Sequence, residues 1–97
     1  MNPDRREIFR VLHESGCFVM PNPWDVGSAK LLASMGFEAL ATTSAGLAWS
    51  LGKLDMQVTR DELVAHVARI AAATPLPLNI DSERCFPTES GGVAETV

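Results

Sequence analysis

Residues 25–42 read DVGSAKLLASMGFEALAT, a stretch that predicts a helix followed at once by a strand. Asp25 is a residue type that favours a helix N-terminus, and Gly36 is typical of the site just beyond a helix end. Between them, apolar side chains recur at helical spacing at Val26, Ala29, Leu32 and Ala33. The apolar residues 37–42, FEALAT, are then predicted as a strand.

The same alternation extends to both sides of this stretch. Asn2 and Asp4 stand at the entry of a first helix, which meets Gly16 at its exit. Thr59 and Glu62 have the spacing of a capping box for a later helix. The predicted elements are helices at 3–15, 25–35, 59–74 and, opening only, 90–97, with strands at 17–20, 37–42 and 76–80 and a loop at 43–55.

This order of helices and apolar strands predicts an α/β fold with a parallel sheet and right-handed crossovers. Parallel strands need cover on both faces, and helices on one side of three strands leave the other face bare. A closed barrel removes this difficulty. A (βα)8 barrel of the TIM type takes about 250 residues, so these 97 residues are expected to form about three βα units. We interpret residues 1–97 as the N-terminal portion of such a barrel domain, truncated at its C-terminus.

Composition and charge exclude several classes of function. The formal net charge is −4 and the chain has no cluster of Lys and Arg, which argues against nucleic-acid and anionic-membrane partners. The charged N-terminus is unlike a secretory signal, and no apolar run reaches the roughly 20 residues of a membrane span. We therefore expect a cytoplasmic protein. Cys17 and Cys85 have no metal-ligand spacing and are expected to be reduced, buried thiols.

Polar residues follow each predicted strand, where ligands gather in parallel α/β folds. Asp81 and Glu83 follow the third strand, and alternation places their side chains on one side, roughly 6 to 7 Å apart at their roots. Mg²⁺ prefers such oxygen ligands. A purely hydrophilic loop after the strand is the alternative explanation of these two acids.

The other strand ends are less specific. The stretch TTSAG, residues 42–46, is either a Ser/Thr-rich turn or a turn whose backbone N–H groups bind an anion. Asp55 is either a turn residue or an acid near the metal. Trp24 either lines a pocket or packs on the first helix. His13 and His66 are predicted to lie outward or half-buried in helices, and neither is assigned to catalysis.

The stretches PNPWDVGSAKLLASMGFEALATTSAGLAWSLGKLD, residues 21–55, and LPLNIDSERCFPTESGGVAETV, residues 76–97, occur in this order. Together they resemble the isocitrate lyase and phosphoenolpyruvate mutase superfamily, especially its methylisocitrate-lyase-like members. The resemblance implies an eight-stranded barrel that binds Mg²⁺ and a small 2-oxo acid. It also implies cleavage or formation of a C–C or P–C bond next to the carbonyl.

By the same resemblance, residues of the second and third strand ends share the site. Ser44, Ala45 and Gly46 correspond to the turn that binds the substrate's carboxylate or phosphonate. Asp55 corresponds to an acid near the metal shell, and Asp81 and Glu83 to the metal-side acids. The chain departs from the family in two places: Glu83 stands where Asp is frequent, and Arg84-Cys85 stands where small residues, often Gly, are usual.

The resemblance also shows what these residues do not supply. A further metal-shell acid, substrate-binding Arg residues and the lyase loop with its catalytic Cys come from later strands, so the catalytic residues are unknown. Lyase, mutase, hydrolase and decarboxylase activities therefore all stay open. A non-catalytic remnant or an interaction module that packs through an uncovered sheet edge is the alternative function. Homo-oligomerisation is also left open.

Overall fold

The chain forms an α/β fold around two short parallel strands, in a computed structural model that describes residues 4–97. The elements in chain order are α1 (Arg5–Leu12), α2 (Val26–Ser34), β1 (Leu40–Ala41), α3 (Ser44–Ser50), α4 (Arg60–Ala73), β2 (Leu78–Asn79) and α5 (Gly92–Thr96). The predicted fold class, α/β with parallel strands, is confirmed. Within residues 4–97, none of the helices combines the length and the apolar composition that crossing a bilayer requires.

The parallel register pairs Leu40 with Leu78 and Ala41 with Asn79. The Leu40 N–H donates to the Pro77 carbonyl at 3.0 Å, and the Thr42 N–H donates to the Asn79 carbonyl at 2.8 Å. Two strands that are distant in sequence are thereby held side by side. Their carboxyl ends consequently lie at the same edge of the sheet.

The prediction of a buried strand at residues 17–20 is wrong. The backbone bond to β1 lies just after this segment, where the Ala41 N–H donates to the Pro21 carbonyl at 3.0 Å. Its side chains alternate as in an edge strand, with Cys17 and Val19 exposed. Pro21 and Pro23 lack the N–H groups that would extend a ladder. Cys17 is therefore exposed, and not a buried thiol as expected; Cys85 is half-buried.

Side-chain caps start the helices where the sequence predicts them. The Asp25 carboxylate accepts the Ser28 N–H, and the Thr59 hydroxyl accepts the Glu62 N–H; both form reciprocal capping boxes. The Asp4 carboxylate caps α1 by accepting the Arg6 N–H. The predicted Asn2 entry and the start of that helix at residue 3 lie outside the described residues.

The core has two parts, both built on one face of α4. In the first, Ile70 packs with Ala29 of α2 and Leu40 of β1. In the second, Leu63 packs with Leu47 and Ala48 of α3 and with Val58. The prediction of a loop over residues 43–55 is therefore wrong for Ser44–Ser50, because α3 buries two apolar side chains against α4.

Arg60 fixes the C-terminal segment to the start of α4. Its guanidinium donates to the carbonyls of Ser90 and Gly92, and its backbone N–H donates to the Glu89 carboxylate at 3.1 Å. The Thr96 hydroxyl in turn donates to the Cys85 carbonyl at 2.8 Å. These bonds position the loop between β2 and α5, which contains the predicted metal-side acids.

Candidate functional site

The carboxyl ends of β1 and β2 are joined by a hydrogen bond from the Asp81 N–H to the Thr42 hydroxyl, 2.8 Å long. Thr42 is buried and directly follows β1, and Asp81 lies two residues beyond β2. Because the buried Thr42 hydroxyl needs a hydrogen-bond partner, this bond fixes where the loop leaves the sheet. The start of residues 81–83 is thereby held beside the start of residues 42–46.

Asp81 and Glu83 belong to one tight turn. The Asp81 Oδ1 accepts the Glu83 N–H at 3.1 Å, and Glu83 adopts a left-handed backbone with φ of 58°. Burial raises the pKa of the Glu83 carboxyl, and the negative charges of Asp55 and Asp81 raise it further, against a smaller opposing effect of Arg84. Acids from two loops thus lie close enough for the charges of Asp55 and Asp81 to act on Glu83. Without a cation nearby, the deprotonated form of Glu83 is disfavoured.

The loop that carries Asp55 is tied to the start of α4. Lys53 Nζ contacts Glu62 Oε1 at 2.6 Å, and the same oxygen accepts the Thr59 N–H. The Asp55 Oδ1 accepts the Met56 N–H at 3.0 Å. Asp55 therefore has a local turn contact, as one of the two interpretations predicts, while its charge also acts on Glu83.

Ser44, Ala45 and Gly46 form the first turn of α3 and not an irregular turn as predicted. The Thr43 hydroxyl caps this helix by accepting the Gly46 N–H at 3.1 Å. Within residues 4–97, no hydrogen bond links Ser44–Gly46 to Asp81 or Glu83. The connection between the two predicted parts of the site instead runs through the Thr42 hydroxyl.

Trp24 lines an open groove together with Trp49, Asp25 and Thr43. Gly46 forms part of this groove, and a Cβ at that site would lie 2.5 Å from the Thr43 methyl carbon and 3.1 Å from the Trp24 Cβ. Gly46 thus allows Trp24 to pack closely on the start of α3. Neither Asp81 nor Glu83 lines this groove.

The backbone of the loop beyond Asp81 is strained around Arg84-Cys85. These are the two residues that stand where the resemblance implies small residues, often Gly. Glu83, Cys85 and Phe86 all have positive φ, at 58°, 61° and 51°. Left-handed backbone is disfavoured for residues with a Cβ, whereas Gly adopts it freely. Phe86 packs against the Leu47 and Leu63 part of the core. The burial of this ring offsets some of the strain in the loop.

The donor chemistry at the acids is compatible with Mg²⁺. Among residues 4–97, no group of three His, Cys, Asp or Glu side chains gathers as metal ligands. Mg²⁺ usually keeps several waters and needs only one or two carboxylates plus substrate oxygens. Asp81 and Glu83 are carboxylates of this kind, and a cation beside them would offset the burial and the acidic neighbours that raise the Glu83 pKa.

His66 is buried, 5% exposed, and not outward or half-buried as predicted. It lies on the core face of α4 between Leu63 and Ile70, and its Nε2 has no hydrogen-bond partner in residues 4–97. Burial lowers the His66 pKa, the Arg69 charge lowers it further, and the Asp25 charge partly opposes both. The native fold therefore favours the neutral imidazole.

We expect the free energy of unfolding to fall as the pH falls below about 6.5, the ordinary pKa of His. The unfolded chain then binds a proton that native His66 resists, so stability is complete above that pH and is lost toward the lowered native pKa. Urea unfolding between pH 8 and 5 measures this loss. His66→Leu should flatten the profile, whereas His13→Gln at the exposed end of α1 should leave it unchanged. Equal profiles for the His66 variant and the parent chain would contradict this account.

Sequence reasoning named the acids as candidates but missed Thr42 as the residue that joins the strand ends. The available signal was a Thr directly after a buried strand, one residue before a second hydroxyl that caps a helix. Asn22 was missed as well; its side-chain amide donates to the Ala41 carbonyl at 3.1 Å and holds the loop after residues 17–20 against β1.

Comparisons with known proteins agree with this architecture. The family model for phosphoenolpyruvate phosphomutase matches residues 9–97. A solved protein of Burkholderia cenocepacia J2315, provisionally described as a lyase/mutase, is 52% identical with a TM-score of 0.89; the match covers 95% of this chain and 34% of that one. A second protein of this organism, provisionally described as a phosphonomutase, is 38% identical with a TM-score of 0.87, covering 95% of this chain and 38% of that one.

A solved 2,3-dimethylmalate lyase of the PEP mutase/isocitrate lyase superfamily is 29% identical with a TM-score of 0.69, covering 80% of this chain and 29% of that one. An uncharacterized protein of Mycobacterium tuberculosis is 39% identical over 93 residues, which are 92% of this chain and 35% of that protein. The chain thus spans about a third of the length of these relatives. Because the family model covers nearly all of it, the chain belongs to the phosphoenolpyruvate phosphomutase family of the PEP mutase/isocitrate lyase superfamily.

Proposed function

We propose that this chain forms the first βα units of a (βα)8 barrel that acts on a small 2-oxo acid with Mg²⁺. The reaction class is cleavage or formation of a C–C or P–C bond next to the carbonyl. The relatives described as a 2,3-dimethylmalate lyase and as a phosphonomutase support this class. Because the chain spans about a third of its relatives' length, we assign it part of the site and no catalytic residue.

One observation carries the proposal: burial, together with the charges of Asp55 and Asp81, raises the pKa of Glu83 beside the carboxyl end of β2. Acids that repel one another at a strand end are costly unless a cation or a proton compensates them. The Thr42 hydroxyl fixes this cluster next to the end of β1. Ligands of barrel enzymes bind at that face.

In this proposal each group has a separate role. Asp81 and Glu83 would hold Mg²⁺ through their carboxylates, and Asp55 would accept hydrogen bonds near the metal as a supporting acid. The first turn of α3, Ser44–Gly46, offers the backbone N–H groups of Ser44 and Ala45 to the substrate's carboxylate, while the Gly46 N–H is bound to Thr43. When bound, Mg²⁺ would polarise the 2-oxo group and stabilise negative charge on its oxygen. Thr42 orients the Asp81 backbone and touches neither ligand.

Metal binding by the isolated chain tests the proposal without requiring turnover. Mn²⁺ replaces Mg²⁺ at oxygen sites and broadens nearby amide NMR signals because it is paramagnetic. We expect broadening centred on residues 81–84 that excess Mg²⁺ reverses. Asp81→Asn and Glu83→Gln should each weaken Mn²⁺ binding by about tenfold, since each removes one charged ligand from a site that has two.

Glu38→Gln is the matched control, because Glu38 is an exposed acid that precedes β1 and so lies away from the carboxyl ends of the strands. It should leave the Mn²⁺ affinity unchanged. Broadening that is spread over all acidic residues, or that survives Asp81→Asn, would refute the metal site. If the chain is a non-catalytic remnant or interaction module, broadening that survives Asp81→Asn is the expected result. A longer protein that includes these residues should in addition turn over a 2-oxo acid only with Mg²⁺.

A further inference from the structure

Arg84 places a positive charge next to the proposed metal-side acids. It lies in a turn that the Cys85 N–H closes by donating to the Ser82 carbonyl at 2.9 Å. The residue before it, Glu83, donates its N–H to the Asp81 Oδ1 at 3.1 Å. Because both sides of the turn are held by hydrogen bonds, the backbone of Arg84 has a defined position beside the two acids.

Contacts on the far side of the turn hold it against the rest of the fold. The Thr96 hydroxyl donates to the Cys85 carbonyl at 2.8 Å, and the Phe86 ring packs against the part of the core between α3 and α4. The Arg84 side chain, in contrast, is exposed. Its guanidinium can therefore change position by rotation about side-chain bonds while the turn stays where it is.

Within residues 4–97, the Arg84 guanidinium takes part in neither an ion pair nor a hydrogen bond. Its charge nevertheless acts on Glu83: burial raises the Glu83 pKa most, Asp55 and Asp81 raise it further, and Arg84 opposes this rise. A guanidinium presents N–H donors in a planar fork that matches a carboxylate. The donors of Arg84 are thus available to an anionic ligand beside the acids.

A small pocket of about 120 Å³ opens beside these opposite charges. Glu83 and Arg84 both line it, together with the apolar side chains of Met56 and Phe86. A water takes about 30 Å³ in the liquid, so the pocket has room for a group of the size of a carboxylate. The pocket can therefore accept an acidic group that contacts Arg84 while it lies next to Glu83.

We propose that Arg84 binds a second acidic group of the substrate, other than the carboxylate at α3, and thereby couples substrate binding to metal binding at Asp81 and Glu83. This inference rests on the proposed function, because it adds a residue to that site. With no anion present, the guanidinium charge lowers the affinity of the neighbouring acids for a divalent cation. An acidic group that pairs with Arg84 removes this opposition.

The coupling makes Arg84 a specificity-determining residue. Because binding free energies are linked, the metal and the anion raise each other's affinity by the same factor. A 2-oxo acid with a second acidic group gains from this coupling, whereas a 2-oxo acid with a single carboxylate does not. The turn at Arg84 thus selects among substrates without taking part in bond cleavage.

Mn²⁺ affinity of this chain, measured by NMR broadening with and without an added acid, tests the coupling. The probes are 2-oxoglutarate and pyruvate, which share the 2-oxo acid end and differ in the second carboxylate. We expect 2-oxoglutarate to raise the Mn²⁺ affinity of the parent chain by about fivefold or more, and pyruvate to raise it much less. Arg84→Gln should abolish the effect of 2-oxoglutarate. With no acid added, it should increase the Mn²⁺ affinity by about two- to fivefold.

Two further variants separate the guanidinium from general charge effects. Arg84→Lys keeps the charge but loses the planar fork, so it should retain the low Mn²⁺ affinity and recover only part of the coupling. Arg69→Gln is the matched control. Arg69 is exposed near the end of α4 that leads into the start of β2, at the opposite end of the strand from Asp81. It should leave both the Mn²⁺ affinity and the coupling unchanged.

An equal effect of 2-oxoglutarate on the parent chain and on Arg84→Gln would overturn the proposal. So would an equal loss of coupling in Arg69→Gln, or a weaker Mn²⁺ affinity of Arg84→Gln with no acid present. Mn²⁺ binding that Asp81→Asn abolishes but Arg84→Gln leaves unaltered contradicts the coupling alone and keeps the proposed function. Absence of Mn²⁺ binding at Asp81 and Glu83 in the parent chain contradicts both.

Discussion

Replacing Ile70 with alanine will lower the free energy of unfolding by about 2–5 kcal/mol. Ile70 is fully buried and packs against Ala29 and Leu40, so it connects α4 with both α2 and β1. The substitution removes three carbons and leaves a cavity between elements that come from three parts of the chain. Urea unfolding followed by circular dichroism will measure the loss. We expect a lower midpoint with an unchanged denaturant dependence.

Val64→Ala provides the matched control on the same helix. Val64 is 54% exposed on α4 and is not one of the buried core residues. Its truncation should change the free energy of unfolding by less than about 0.5 kcal/mol. A domain of this size has a total stability of about 5–15 kcal/mol. If Ile70→Ala were as mild as Val64→Ala, the contact of α2 and α4 over β1 would not be the main core.

Local chemistry explains why several helices were predictable. Asp25 and Thr59 start α2 and α4 within one residue of the predicted boundaries, because their side chains satisfy N–H groups that no helical carbonyl can reach. Gly36, with φ of 92°, follows α2 as its residue type indicates. These signals depend only on neighbours in sequence and need no knowledge of tertiary packing.

Features that depend on distant contacts were missed. Residues 17–20 have the apolar character of a buried strand, but the backbone bond to β1 comes only after them, at the Pro21 carbonyl, and Pro21 has no N–H with which to extend a ladder. The helix α3 lies in a stretch rich in Ser, Thr and Gly, and it is stabilised by burial of Leu47 and Ala48 against Val58 and Leu63. Packing of this kind overrides weak helix propensity.

In the candidate site, too, local features were predictable and contacts between distant residues were not. Alternation along an extended chain predicted that the side chains of Asp81 and Glu83 lie on one side, but this segment is a turn, with Glu83 at φ of 58° and its N–H bound to Asp81 Oδ1. The shared role of the two acids stays a prediction. No pattern within residues 76–87 could predict that the Asp81 N–H binds Thr42, because the two residues are 39 apart in sequence. That bond depends on the parallel register of β1 and β2. The mutual placement of the two strand ends thus follows from sheet pairing.

Thr42→Val will lower the free energy of unfolding by about 0.5–1.5 kcal/mol and will also weaken Mn²⁺ binding at Asp81 and Glu83. Valine keeps the shape of threonine but removes the hydroxyl that accepts the Asp81 N–H, so that this donor of an exposed residue is left to bind water. The turn that carries both acids then loses its connection to β1. Unfolding in urea measures the first effect, and NMR broadening by Mn²⁺ measures the second.

Thr74→Val separates the two effects. Thr74 is buried as well, and its hydroxyl accepts the Leu76 N–H at 3.2 Å, but it lies before β2 and not after it. Its replacement should cost a similar free energy of unfolding through the same loss of an acceptor. The metal affinity should stay at the level of the parent chain, because the turn at Asp81 keeps its bond to Thr42. Equal metal affinities in the two variants would show that Thr42 stabilises the fold without positioning the acids.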